Sequence, residues 1–422
     1  MDLFEEMKWR GLVYDSTPDL PERLKTEKVV AYVGFDPTAA SLHVGSLLPI
    51  MCLARLQRFG HTPVALVGGG TGLIGDPSGK TKERMLLTPD KVAENLAGIR
   101  AQLEPFLDFA SSNRAVMVNN HDWLGSMSLI EFLRDTGKHF TVNYMLAKES
   151  VKRRLESEDG ISYTEFSYML LQAYDFSVLN RQYDCTLQMG GSDQWGNIVA
   201  GAELIRKTTG GKASGLVFPL VTNSAGTKFG KTESGTVWLD PKLTSPYRFY
   251  QFWINTDDRD VIPYLKYFTW LTREEIESLE DAMRTDPGAR APQTRLAEEI
   301  TAMVHGSDEL ERAKQATAVL FGGSLESLSA TDLLEIFEEV PSSEVGPAEF
   351  ADGGVGVIDL FANAGLAASK GEARRLLRGG GLRINNVVVS EEDQRVTMDD
   401  AIDGKVFVLR KGRKHYHVVQ IR

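Results

Sequence analysis

"KVVAYVGFDPTAASLHVGSLLPIMCLARLQRFGHTPVALVGG" (Lys28–Gly69) places two short apolar runs around one helical pattern. The runs "KVVAYVGF" and "TPVALVGG" have strand length and are bounded by Gly, Pro and Asp. "LLPIMCLARLQRFG" between them repeats its apolar residues at helical spacing. A further helical pattern, "KVAENLAGIRAQLEPFL", follows, and this alternation is the rhythm of β-α-β units on a parallel sheet. More strands are expected in "AVMVNN" (115–120), "CTLQMGG" (185–191) and "GLVFPLV" (215–221), with long helical patterns over 128–158 and 164–180.

Further along, the chain turns helical and aromatic from "SPYRFYQFWINT" to about residue 320. "PSSEVGPAEFADGGVG" (341–356) then concentrates Pro, Gly, Ser and acid as a linker does. The last stretch reads as two helices followed by short strands. The expected organisation is an α/β chain with a Rossmann-type parallel-sheet domain over 1–225, an α-helical domain over 226–325, a linker over 326–351 and a small α+β domain over 352–422.

A chain of 422 residues exceeds one ordinary core, in keeping with several domains. No apolar stretch is long enough to span a bilayer, and the N-terminus lacks the pattern of a signal peptide, so a cytoplasmic location is expected. The two cysteines, Cys52 and Cys185, form no ligand spacing; neither a disulfide framework nor a structural zinc site is expected. Net charge is −11, but residues 351–422 hold 12 Lys and Arg against 9 Asp and Glu. That tail is therefore +3 and the preceding 350 residues −14, a distribution suited to a polyanion touching one part of the protein.

Two near misses to a phosphate-binding P-loop occur, "GDPSGKT" (75–81) and "AGTKFGKT" (225–232). A P-loop needs glycine five residues before its Gly-Lys-Thr, and in both the nearest glycine is one residue too close. Gly70, Gly72 and Gly75 spell G-x-G-x-x-G after a strand, but Asp76-Pro77-Ser78-Gly79 intervenes where a dinucleotide fold would open a helix. His43 and Gly45 lie between a strand and a helix start, whose free N–H groups suit phosphate; alone, this reads first as a capped helix. Tyr168, Gln172 and Asp175 fall at i, i+4 and i+7, a polar stripe on an otherwise apolar helix. Either an internal network or a polar ligand must satisfy it. "QMGGSDQWGN" (188–197) puts Asp193 and Gln194 at a strand end, where an Asp can accept both ribose hydroxyls. Lys228 and Lys231 share one Gly-punctuated loop and can face one polyphosphate.

Taken in order, "GFDPTA", "HVGS", "LIGDPSG", "NNHDW", "YMLLQAYD", "GGSDQWGN" and "KFGKT" resemble the bacterial tyrosyl-tRNA synthetase family, with "HVGS" and "KFGKT" similar to the HIGH and KMSKS elements of class I aminoacyl-tRNA synthetases. The resemblance covers essentially the whole chain, including a C-terminal domain similar to the S4 fold. It implies ATP-dependent activation of L-tyrosine, transfer to tRNA(Tyr), a homodimer formed through a connective insertion, no editing domain and no role for DNA or a membrane. It also implies that Tyr32 and Asp175 bind the phenol, and that Asp76, Tyr168 and Gln172 hold the ammonium group. Gly191, Asp193 and Gln194 would meet the ribose and the reacting carboxylate or phosphate, with Asp36, Thr71 and Asn120 lining the pocket. Thr38, His43, Lys80, Arg84, Lys228 and Lys231 would embrace the polyphosphate, beside Gly45 and Ser46. Arg374, Arg375 and Arg378 would touch tRNA. Mg2+ is implied by ATP chemistry and not by any ligand cluster. Ser46 stands where the pattern has its second His, and Val33 where some members have Cys, so the reach of these side chains toward the ribose is shorter or absent.

Overall fold

The computed structural model describes residues 2–422 except 79–87, 158–159, 225, 227–228, 233–234, 320–324, 326–327, 339, 352 and 413–414. The five expected strands, joined by a short one that the sequence did not signal, β1 (Asp15–Ser16), form one six-stranded sheet with β2 (Val30–Phe35), β3 (Thr62–Val67), β4 (Val116–Asn119), β5 (Cys185–Gly191) and β6 (Ser214–Phe218), in the order β1-β6-β5-β2-β3-β4. The pairs β6–β5, β5–β2, β2–β3 and β3–β4 are parallel, and β1 closes one edge antiparallel to β6. Strands such as β3 and β6 are buried almost throughout, as expected where helices cover both faces of a parallel sheet. After β2 the chain builds outward through β3 and β4, then returns to add β5 on β2's other side. The order thus reverses between β2 and β5, and a crevice opens beyond their C-terminal ends.

The helix Tyr163–Tyr183 begins at Ser162, whose side chain accepts from the Glu165 N–H, and ends at Asp184 with φ +53°. The stretch 128–158 is not the long helix expected from its periodicity. It breaks into pieces at Leu129–Glu131, Phe132–Thr136, Gly137–His139, Val142–Leu146 and Glu149–Leu155. Ser128 and Thr141 cap fresh helix starts inside it, so local hydroxyl–backbone bonds outweigh the apolar repeat.

The chain forms two compact units, Met1–Ser245 with Phe252–Ile300, and Pro246–Gln251 with Thr301–Arg422. The stretch 226–325, expected as one helical domain, is therefore divided between them. In the second unit a five-stranded sheet runs in the order Val387–Val388, Leu382–Ile384, Val406–Lys411, His415–Ile421, Ser342–Val345. Alternation along Val406–Lys411 sends Phe407 and Leu409 to one core with Val357, Phe361 and Leu377. Val406 and Val408 go to another with Val319, Leu333 and Phe337. The expected linker 326–351 is thereby corrected: it supplies the helix Ala330–Ile336 to that second core and the strand Ser342–Val345 to the sheet. Pro341, Gly346 and Pro347 flank that strand, while Leu333, Ile336 and Phe337 carry the packing.

Candidate active site

The crevice at the β2/β5 switch is a cavity of about 440 Å³ lined by both strand ends, the start of the helix Leu47–Arg58 and the stripe of the helix Tyr163–Tyr183. Tyr32, Asp36, His43, Gly45, Thr71, Asp76, Tyr168, Gln172, Asp175, Gly191, Asp193 and Gln194 all line it.

At the deep end, Asp175 is buried and takes a hydrogen bond on each oxygen: the Trp123 Nε1–H donates to Oδ1 at 2.7 Å and the Asn120 amide to Oδ2 at 2.9 Å. Burial pushes its carboxyl up to about 7, against the pull of these two donors. Tyr32, from β2, packs its ring on Phe176 with centroids 5.3 Å apart, and its buried hydroxyl has no hydrogen-bond partner among the described residues. Gln188, its neighbour on β5, likewise has a buried amide oxygen unpartnered among them and faces the same cavity. Orphaned polar atoms beside a buried carboxylate suit a ligand with a polar tip.

The stripe's other end enters a second network. The Gln194 amide donates to Asp76 Oδ2 at 2.7 Å, Gln172 donates to Gln194 Oε1 at 3.1 Å, and Asn197 donates to Gln172 Oε1 at 3.0 Å. Asp76 is fixed in turn by the Ser78 N–H, 2.8 Å from Oδ1. Tyr168 reaches Asp36 at 3.5 Å. Two carboxylates, Asp175 and Asp76, therefore line the one cavity, each held in its own network.

On another wall, His43 precedes a single 3-10 turn, Val44–Ser46, that leads into the helix Leu47–Arg58. A Cβ on Gly45 would stand 2.7 Å from the His43 ring, so the glycine lets the imidazole fold over it. Gly230, with φ +80°, abuts this turn, where a Cβ would meet Val44 Cγ2 at 2.6 Å. Next to it, Phe229 is buried, stacked on Phe268 at 5.4 Å and edge-on to Tyr264 at 5.0 Å. The two motifs, some 190 residues apart in sequence, thus meet at Gly45 and Gly230.

Not every expected residue enters the cavity. Asn120 is fully buried behind it, holding Asp175, Thr71 Oγ1 and the Gly70 N–H instead of lining it. Thr38 and Ser46 lie outside the lining, Thr38 exposed on the loop after β2. Lys80, Arg84 and Lys228 fall outside the described residues, and of Lys231 only the backbone is described, in the short strand Lys231–Thr232. Trp123, Gln188 and Asn197 were not singled out by the sequence. Trp123 and Asn197 sit inside the motifs "NNHDW" and "GGSDQWGN", while Gln188 carried no signal beyond its place on a strand. Arg374, Arg375 and Arg378 are exposed on the helix Lys370–Arg378, with Arg374 and Arg378 both paired to Glu392.

The raised Asp175 carboxyl has a consequence for stability. Its folded value of about 7 exceeds the ordinary 3.8, so its contribution is fully present below about pH 4 and is lost as pH rises to about 7, on the order of 4 kcal/mol in all. Thermal unfolding of Asp175→Asn against the unsubstituted protein should show the variant gaining relative stability from pH 5 to pH 8. A gap independent of pH would mean that the carboxylate stays ionised throughout.

Residues 24–322 match the family model described as "tRNA synthetases class I (W and Y)", and residues 332–419 that of the "Tyrosine–tRNA ligase SYY-like C-terminal domain". The chain is similar to the Tyrosine–tRNA ligase of Roseiflexus castenholzii, 59% identical over 420 residues that span 99% of each chain, and to that of Opitutus terrae, 52% identical over the whole of both. Among solved structures it resembles a C-terminally truncated mitochondrial tyrosyl-tRNA synthetase of Aspergillus nidulans, with a TM-score of 0.69 and 33% identity, covering 76% of this chain and 94% of the other. A full-length identity of this size joins the reversed sheet, the cavity with its two carboxylates and the C-terminal sheet in one assignment: the chain belongs to the class I tRNA synthetases of the tryptophan and tyrosine branch, and within it to the tyrosine–tRNA ligases.

Proposed function

We propose that this chain joins L-tyrosine to tRNA(Tyr) in two steps, forming tyrosyl-adenylate and pyrophosphate from tyrosine and ATP and then passing the tyrosyl group to the 3′ end of the tRNA. The observation that carries the substrate is the orphaned Tyr32 hydroxyl beside the buried Asp175 carboxylate. A phenol answers both groups, donating to the carboxylate and accepting from the hydroxyl. Phenylalanine and the indole of tryptophan cannot do both. At the opposite end Asp76, Gln172 and Tyr168 suit the ammonium group, which leaves the tyrosine carboxylate facing Gln194 and Asp193.

In the first step a carboxylate oxygen attacks the α-phosphorus while the α–β bridging bond breaks and its electrons leave with pyrophosphate. The nucleophile is already ionised and needs no general base, so the protein acts by positioning and by collecting negative charge. His43, Thr38, Lys80, Arg84, Lys228 and Lys231 are assigned to that charge, Asp193 and Gly191 to the ribose. Among the described residues no group of three or more His, Cys, Asp or Glu is set to hold a metal; a Mg2+ ion would enter on the triphosphate, held by its oxygens and water.

Exchange of pyrophosphate into ATP, measured without tRNA and with tyrosine, phenylalanine or tryptophan supplied singly, tests this reading. Exchange with tyrosine alone supports it, and exchange with tryptophan or with none overturns it.

For the tRNA, the exposed arginines of the helix Lys370–Arg378 and the basic balance of the tail support an interaction with phosphates. Replacing Arg374, Arg375 and Arg378 together by Ala should weaken charging and lower its salt slope by about 1 for each phosphate no longer neutralised, while amino-acid-dependent exchange is spared. Equal loss of exchange would make the helix a structural element. Leu129, Ile130 and Val142 on the broken segment and Tyr163 at the start of the next helix, all at least 60% exposed, support a homodimer in which a second copy covers them. A cytoplasmic location is compatible with these substrates, and no helix among the described residues is long and apolar enough to cross a membrane.

A further inference from the structure

The loop Pro37–His43 carries Thr38 and His43 from the end of β2 to the helix Leu47–Arg58, and it is gripped on two sides. On one lies the helix Pro89–Leu103, with Asn95, Gly98 and Gln102 at i, i+3 and i+7 on a single face. Asn95, without exposed surface, donates to the Pro37 carbonyl at 2.8 Å. A Cβ on Gly98 would land on the Ala40 carbonyl oxygen, far inside contact distance, so the helix backbone rests directly on the loop. Gln102 accepts from the Leu42 N–H at 2.7 Å and donates to Ser41 Oγ at 3.0 Å.

On the other side the chain 237–240 closes the grip, with Trp238 in an isolated antiparallel bridge to His43. The Val44 N–H donates to Val237 O at 3.0 Å, the Leu239 N–H to Leu42 O at 2.9 Å and the Asp240 N–H to Ser41 Oγ at 3.1 Å. The helix Pro89–Leu103 follows in sequence the segment bearing Lys80 and Arg84. Residues 237–240 follow the one bearing Lys228 and Lys231. Each basic segment therefore runs into an element that clasps the same loop.

We propose that Asn95, Gly98 and Gln102 are positioning residues for the ATP half of the reaction, fixing the loop so that Thr38 and His43 meet the polyphosphate. This rests on the assignment of Thr38 and His43 to the polyphosphate. None of the three reaches the cavity that takes tyrosine, so their effect is confined to the loop.

The test uses the full-length protein, with pyrophosphate exchange measured over ranges of ATP and tyrosine, tyrosine binding by equilibrium dialysis without ATP, and the thermal midpoint. Gly98→Ala should lower kcat on the order of 10²-fold, the size of a misplacement of about 1 Å, with tyrosine binding unchanged. Gln102→Ala should act in the same direction, and Gln102→Glu, which keeps the acceptor for the Leu42 N–H, should restore most of the rate. Adding Thr38→Ala to Gly98→Ala should cost less than the two losses combined, because both act through one loop. A folded Gly98→Ala or Gln102→Ala with undiminished kcat, or one losing tyrosine binding as much as kcat, overturns the proposal. Should Gly98→Ala not fold, the Gln102 pair decides. If Thr38→Ala and His43→Ala themselves leave exchange intact, it is the assignment of the loop to the polyphosphate that fails.

Discussion

Asp175→Ala removes the preference for tyrosine over phenylalanine, read as the ratio of kcat/KM for the two amino acids in pyrophosphate exchange. In the unsubstituted site phenylalanine would bury Tyr32 and Asp175 against a bare ring edge, leaving the Tyr32 hydroxyl with no partner and the Asp175 carboxylate with only the Asn120 and Trp123 donors it already has, both shut off from water. Leaving polar groups short of partners is what lets a polar site reject an analogue by 10⁴–10⁵-fold. Tyrosyl-tRNA synthetases are themselves the reference case of that rule, at about 10⁵, a magnitude that belongs to the family and not to this geometry. With Ala at 175 the carboxylate's share of the penalty against phenylalanine disappears, and the phenol of tyrosine loses the acceptor for its proton, keeping only the Tyr32 hydroxyl. The Asn120 amide and the Trp123 indole lose their acceptor as well, which adds to the loss for tyrosine. The ratio should therefore fall by several orders of magnitude, while Tyr32→Phe, which removes one neutral hydrogen bond, should cost only about tenfold. A ratio left intact by Asp175→Ala would move the reading of the phenol to Gln188, whose buried amide oxygen faces the same cavity.

The Asp175 result also bears on how the site can be read from residues alone. The helical spacing of Tyr168, Gln172 and Asp175 gave the stripe, because a carboxylate amid Met169, Leu170 and Phe176 must have company. It could not say which company. Asn120 and Trp123 reach Asp175 from a segment more than fifty residues away, and only the pairing of β3 with β4 brings them there. The parallel strands were legible because they are apolar on both faces and bounded by turn residues. The broken segment 128–158 was not, since its apolar residues include Leu129 and Ile130, which are exposed and answer to no core within this chain. The stretch 326–351 misled for a related reason: turn chemistry marks where a chain bends at the surface, not whether it belongs to a packed body. The grip on the loop Pro37–His43 was invisible for want of any pattern, since a glycine inside a helix reads as a cost until the backbone it admits is seen.

Lys231→Ala should lower the rate of tyrosyl-adenylate formation on the order of 10²–10³-fold, the usual cost of deleting one group aimed at developing charge, with no change in the dissociation constant for tyrosine. As the α–β bond breaks, charge that was spread over the triphosphate gathers on the departing pyrophosphate. A lysine that meets it only then stabilises the transition state without tightening the ground state. The root of its loop is built for such a role. Phe229 is locked among Phe252, Trp253, Tyr264 and Phe268, and the next residue, Gly230, turns at φ +80° against Val44 and Gly45. A rigid anchor followed by a tight turn fixes where the segment leaves the body. Gly230→Ala puts a methyl group 2.6 Å from Val44 Cγ2 on a backbone that disfavours it, and should lower the same rate while every lysine remains. Single-turnover adenylate formation, set beside equilibrium binding of tyrosine, separates the possibilities. Rate lost without affinity assigns Lys231 to the transition state. Rate and affinity lost in equal measure would make it part of the ground-state site, and the positions of Gly230 and Gly45 would then bear on holding substrate instead of releasing pyrophosphate.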